Sequence, residues 1–128
     1  MSYASAKNPL LDPFWEGAHA GKLLLQQCDQ CGNRHFPPMI ACPQCLSLDQ
    51  HWSEASGRGT VESSITFHQQ YWPDRPPPYE VLLIALEEGP LMMSNAVEGH
   101  ELPQVGDAVH VVFETRPDGS VIPQFVRA

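Results

Sequence analysis

The chain has 128 residues, with fifteen acidic against seven basic side chains and a net charge of −8 at neutral pH. That length suits one domain, or a small domain with an attached metal module, and the acidic balance works against binding to phosphate backbones and anionic membranes. No apolar run approaches the roughly 20 residues needed to span a bilayer, so a soluble, cytoplasmic protein is expected.

Thirteen prolines and nine glycines favour short strands and turns over long helices. Residues 1–11 read as a polar, mobile arm. A short helix follows, with Asp12 as its cap and Pro13 at the first helical position, where the missing N–H costs nothing. Phe14, Trp15 and Ala18 form its apolar stripe, and Gly21 is its stop. So short a helix does not hold alone in water. Phe14 and Trp15 must therefore dock, either on their own domain or on a partner.

Next come the four cysteines, as Cys28-Asp29-Gln30-Cys31 and Cys42-Pro43-Gln44-Cys45, with no other cysteine in the chain. A CxxC spacing turns two thiolates onto one ion, and two such pairs complete a tetrahedral sulfur site. The short spacer between the pairs demands a tight hairpin, and Gly32 supplies the positive φ that a knuckle needs. Cys28, Cys31, Cys42 and Cys45 are therefore expected to hold one structural Zn2+. Two disulfides are the rival in an oxidising compartment, and rubredoxin-like iron is the rival metal. Four thiolates leave no open position for water or substrate. Residues 22–55 read as a rubredoxin-like zinc ribbon: a strand after Leu23, a second at Arg34-His35-Phe36, and a third near His51-Trp52-Ser53. The metal stands in for a core that so small a module cannot build.

From residue 56 onward the pattern changes to period two. Val61, Ser63, Ile65 and Phe67 are expected on one face of a strand. Val81 to Leu86 is wholly apolar and reads as a central strand covered on both faces. Met92-Met93 reads as strand packing, and Val109, Val111 and Phe113 alternate with His110, Val112 and Glu114. Arg116-Pro117-Asp118-Gly119-Ser120 is a hairpin turn, and Val121 to Val126 closes the set. Five short strands fit a closed OB-fold barrel over residues 56–128. The protein is thus expected to be mainly β, with one short N-terminal helix in residues 1–21. Between the first two barrel strands lies a proline-stiffened loop carrying Tyr71, Trp72, Arg75 and Tyr79. It reads either as a binding surface or as a flap over the barrel mouth.

Phe14-Trp15-Glu16-Gly17, Gly21-Lys22-Leu23, the two CxxC pairs around His35-Phe36-Pro37-Pro38, Ser56-Gly57-Arg58-Gly59-Thr60-Val61, Pro78-Tyr79 and Val105-Gly106 occur in that order. This ordered set, from about Leu11 to Arg127, resembles the zinc-ribbon plus OB-fold family first catalogued as domain of unknown function 35, also described as acyl-CoA-associated OB-fold proteins. The resemblance implies a non-catalytic accessory subunit that works with thiolase-like, hydratase-like or aldolase-like enzymes on acyl-CoA substrates. It supplies no catalytic residues. Within it, Arg58, His68, Trp72, Arg75 and Tyr79 are candidate contacts for the phosphates or pantetheine arm of CoA, because an arginine fork pairs bidentately with phosphate oxygens.

The residues themselves also count against an enzyme. All four cysteines are committed to metal, no GxSxG, Walker or HExxH pattern occurs, and the six histidines share no motif. The alternative function is a single-stranded nucleic-acid-binding OB module, against which the acidic balance stands. A free-standing redox protein is the third possibility.

Overall fold

The computed structural model describes residues 9–70 and 76–128. The arm over residues 1–8 and the loop centre over 71–75, which includes Trp72 and Arg75, lie outside the described residues. A 3-10 turn, Pro9–Leu11, leads into α1 (Asp12–His19). Asp12 is not the cap. Leu11 holds that position with helical backbone angles and no side-chain cap bond. The incoming turn already winds the chain, which leaves no extended residue there to cap. Asp12 instead sits in the first turn, where its charge favours the helix dipole. Gly21 ends the helix as expected, at φ 75, with its N–H bonded to Ala18 O at 3.0 Å.

The ribbon is a three-stranded antiparallel sheet, ordered β2 (Arg34–His35), β1 (Leu24–Cys28), β3 (Gln50–Glu54). The barrel is a five-stranded antiparallel sheet, ordered β6 (Leu91–Asn95), β5 (Tyr79–Leu86), β4 (Arg58–Phe67), β7 (Ala108–Thr115), β8 (Val121–Arg127). It curls until Ala96 bridges Phe125 in parallel. The hairpin turn stands where expected, with Arg116 N–H bonded to Ser120 O at 2.7 Å.

Closure fails further along that seam for a local reason. Ser94 Oγ donates to Pro123 O at 2.9 Å, so the carbonyl of Pro123 faces β6. In a strand, the nitrogen of a residue faces the same way as its carbonyl, and proline has no N–H to give. That position therefore offers β6 no backbone N–H. Helix α1 packs against β8 and β1 instead. The remaining cleft, about 240 Å³, is lined by Leu11, Trp15 and Phe36 opposite Met92 and Ile122. Phe14 lies 4.9 Å from Trp15 and 5.2 Å from Phe36, ring centre to ring centre. The helix therefore docks on its own chain.

One apolar core runs through both parts. Phe14, Leu23 and Leu25 join Ala55 and the barrel residues Val61, Ile84, Met92, Val109 and Phe125 in a single cluster. Two strand expectations change. A bulge between Val61 and Ser63 shifts the register, so Val61 points inward while Ser63 and Ile65 point outward. One extra residue exchanges the two faces of everything after it. Ile65 is accordingly 52% exposed. β5 buries Leu82, Ile84 and Leu86 fully, whereas Val81, Leu83 and Ala85 on its other face are only half-buried. Met92 is buried as strand packing, but Met93 is exposed.

Candidate metal centre

Each CxxC pair sits on a knuckle, and the two knuckles repeat the same backbone bonds. In the first, Gly32 N–H donates to Cys28 O at 3.0 Å, and Cys28 N–H to Asn33 O at 2.9 Å. In the second, Leu46 N–H donates to Cys42 O at 2.8 Å, and Cys42 N–H to Ser47 O at 2.9 Å. The turn aims amides at sulfur: Gln30 N–H lies 3.4 Å from Cys28 Sγ and Gln44 N–H 3.4 Å from Cys42 Sγ. Those donors stabilise thiolate.

The four sulfurs lie within 4.8 Å of one another. Cys28 and Cys45 are separated by 3.5 Å, Cys31 and Cys42 by 3.7 Å. Tetrahedral zinc with Zn–S of 2.3 Å sets its sulfurs about 3.8 Å apart, whereas a disulfide needs about 2.05 Å. The set fits a four-thiolate zinc ion and supplies all four ligands, so the ion's role is structural. Cys28 and Cys42 are buried and Cys31 and Cys45 exposed. His35 is not a ligand. Its Nδ1 bonds Pro37 O at 3.1 Å and its Nε2 bonds Gln50 Oε1 at 2.6 Å, which braces the hairpin between the knuckles. His51 pairs with Asp29 on the exposed ribbon face.

The thiols of the metal-free site are unequal. Burial works against charge on Cys42, but the amides of Cys45 and Gln44 and the neighbouring thiols overcome it and lower the Cys42 pKa to about 6. For Cys45 the Ser47 amide favours thiolate, yet Cys28, burial and the other two thiols outweigh it and raise the pKa to about 12. A cation at the centre relieves that competition.

The knuckles differ at one residue. Gly32 takes φ 75, while Leu46, its counterpart, takes φ 66 with its side chain 75% exposed. A left-handed non-glycine residue costs roughly 1–2 kcal/mol. Leu46→Gly is therefore expected to stabilise the zinc-loaded protein by about 1 kcal/mol, read as a rise in the urea midpoint. A fall in the midpoint would show that Leu46 contributes packing that outweighs its strain.

The five candidate CoA contacts do not form one cluster. Arg58 opens β4 and pairs with Glu87 at 2.9 Å. A hydrogen bond from Ser56 and then the Arg58 charge hold the Glu87 carboxyl below its usual range. His68 follows the other end of β4, where Tyr79 opens β5 with its ring 5.2 Å from Phe67. At 3.3 Å per residue the two ends of β4 are about 30 Å apart. Arg58 thus stands away from His68. Trp72 and Arg75 lie outside the described residues. Tyr79 does line a cavity of about 250 Å³, with Pro76, Pro78, His100, Leu102 and Arg116. Arg116, whose side chain is only 10% exposed, pairs there with Glu114 at 3.0 Å. In sequence Arg116 is only a turn residue, because its approach to β5 depends on the curl of the sheet.

The sequence profile of the ChsH2 rubredoxin-like zinc ribbon domain matches residues 15–49, and that of the ChsH2 C-terminal OB-fold domain matches 52–114. A DUF35 domain-containing scaffold protein of Methanothermobacter thermautotrophicus is 34% identical over 98 residues, which cover 73% of each chain. The chain belongs to the ChsH2 (DUF35) family. Two longer relatives share its sequence. One is the 3-oxo-4,17-pregnadiene-20-carboxyl-CoA hydratase alpha subunit of Mycobacterium tuberculosis, 34% identical over 110 residues. The other is a probable enoyl-CoA hydratase alpha subunit of Thermomonospora curvata, 39% identical over 85 residues. The matched segment is 84% and 66% of this chain but only 35% and 27% of those subunits. Among solved structures, a chain of the Ltp2–ChsH2(DUF35) aldolase superposes with TM-score 0.84 at 30% identity, covering 95% of this chain and 97% of that one. A DUF35 protein of unknown function from Sulfolobus solfataricus, TM-score 0.63 and 17% identical over 84% of this chain and 81% of that one, shares the fold. The DUF35 zinc ribbon supports zinc over iron at the four thiols.

Proposed function

We propose that this chain is a non-catalytic accessory subunit of an acyl-CoA-processing complex, holding an enzyme subunit and lining or closing its substrate channel. The observation that carries this reading is the nearly end-to-end likeness to a chain of the Ltp2–ChsH2(DUF35) aldolase. The relatives named as hydratase alpha subunits support it, and so does the one named as a scaffold. The chemistry of the chain agrees with such a role. Its thiols are all spent on a closed metal site, which offers no Lewis-acid position. A hydratase-type or aldolase-type partner fits those names, and a thiolase-like partner is the family-level alternative. Within this reading His68 and Tyr79 are proposed to contact acyl-CoA at one end of the barrel and Arg58 at the other, and Trp72 and Arg75 are proposed as further contacts.

Co-expression of the untagged chain with each tagged hydratase-, aldolase- and thiolase-type subunit of its source organism tests the proposal. A stoichiometric complex, measured by size exclusion with light scattering, is expected with one of them, together with a changed turnover of that enzyme. Turnover of an acyl-CoA by the isolated chain, or failure of every subunit to assemble with it, would sink the reading.

A further inference from the structure

The register places an apolar field on the outside of the barrel. Beyond the bulge, Ile65 lies beside Val81, Ser63 beside Leu83, Leu83 beside Met93, and Ala85 beside Leu91. Ile65, Leu91 and Met93 are 52%, 50% and 66% exposed. An antiparallel sheet with one solvated face normally alternates polar residues outward. Here β5 is apolar on both faces, and its outer residues Val81, Leu83 and Ala85 are only half-buried.

The surroundings select what covers this face. Among the described residues from 58 to 98 there are five glutamates, Glu62, Glu80, Glu87, Glu88 and Glu98, against one lysine or arginine, Arg58, which is paired with Glu87. A second copy would bring the same acidic rim and the same net charge of −8, which repels. A partner with an apolar centre and a basic rim is attracted on both counts. Three strands by five residues span roughly 14 by 17 Å, the scale of an interface core surrounded by a polar rim.

We infer that the outer face of β4, β5 and β6, centred on Leu83 and Met93, is where a partner protein subunit with a basic-rimmed apolar surface docks. This rests on the accessory-subunit reading and gives it a location. The test uses the full chain and the enzyme subunit that assembles with it, with Met93→Glu and Ile65→Glu as probes. Ile40→Glu, in a ribbon residue that is 76% exposed and outside the field, is the control. Zinc content and circular dichroism establish that each variant is folded. Each probe is expected to weaken the complex by about 30-fold or more, with no change for Ile40→Glu. Raising salt is expected to slow association of the unmodified pair. If a complex forms and the two probes leave its affinity unchanged, or Ile40→Glu weakens it equally, the proposed face is wrong while the accessory reading stands. If no subunit assembles with the unmodified chain, both fall. If the free chain dimerises and Met93→Glu makes it a monomer, the face belongs to a second copy and the inference is overturned.

Discussion

Cys42→Ser is expected to lose the zinc and, with it, the ribbon and part of the barrel's stability. Structural zinc contributes on the order of 10 kcal/mol to small ribbons, comparable with the whole net stability of a domain, about 5–15 kcal/mol. The ribbon has no private core to fall back on. Leu23 and Leu25 are 2% and 0% exposed because they pack into the same cluster as Val61, Ile84 and Phe125. Freeing them, with Phe14, returns to water side chains worth about 1.5–3 kcal/mol each. The barrel's melting temperature should therefore fall as well, although its strand signal persists below the transition. Elemental analysis, amide exchange across Leu24–Cys28 and a thermal melt follow the three effects. A variant that retains one zinc per chain, or melts where the parent does, contradicts the assignment. The same site sets a pH dependence. Zinc must displace protons from the thiols. At neutral pH Cys42, lowered to about 6, is already ionised, whereas Cys45, raised to about 12, is not. Below about pH 6 Cys42 holds its proton as well, so zinc must displace one more and apparent affinity falls more steeply there. Zinc release that is insensitive to pH between about 7 and 5 would argue against thiolate ligation.

Gly57→Ala is expected to cost about 2–5 kcal/mol, as two penalties coincide. Gly57 joins the ribbon to β4 at φ 79, a conformation that L side chains rarely adopt. A methyl group there would also stand 2.6 Å from Val111 Cγ1. The backbone cannot swing away freely, because Val111 N–H donates to Gly57 O at 2.8 Å. The midpoint of urea unfolding should fall with little change in slope. In a Val111→Ala background the clash disappears but the strain remains, so Gly57→Ala should cost less there, about 1–2 kcal/mol. Equal costs in both backgrounds would rule out the contact. No cost in either would mean that the linker can adopt another path.

The features legible in the amino-acid sequence are those made by near neighbours. Two thiols three residues apart, an amide aimed at the first sulfur, and a left-handed residue after the second make a knuckle within five residues. That is why Cys28, Cys31, Cys42 and Cys45 could be read as one site before any strand was placed. Gly21, Gly32 and the Arg116–Ser120 turn were legible for the same reason, since each answers to its own φ or to a bond spanning a few residues. Ribbon and barrel strands showed in their periodicity. What only the tertiary structure decided involves residues far apart in the chain. The bulge at Val61/Ser63 belongs to the pairing of β4 with β5, not to β4 alone, so Ile65 could not be placed outside by alternation. At the seam a proline on β8 faces β6, and α1 packs against β8 beside it, leaving a cleft. Arg116 met the cavity beside Tyr79 because the sheet curls until its far strands approach. The run from Val81 to Leu86 specified a strand apolar on both faces. How far another element of the chain would cover the second face depended on where every other element packed, and Val81, Leu83 and Ala85 are left half-buried.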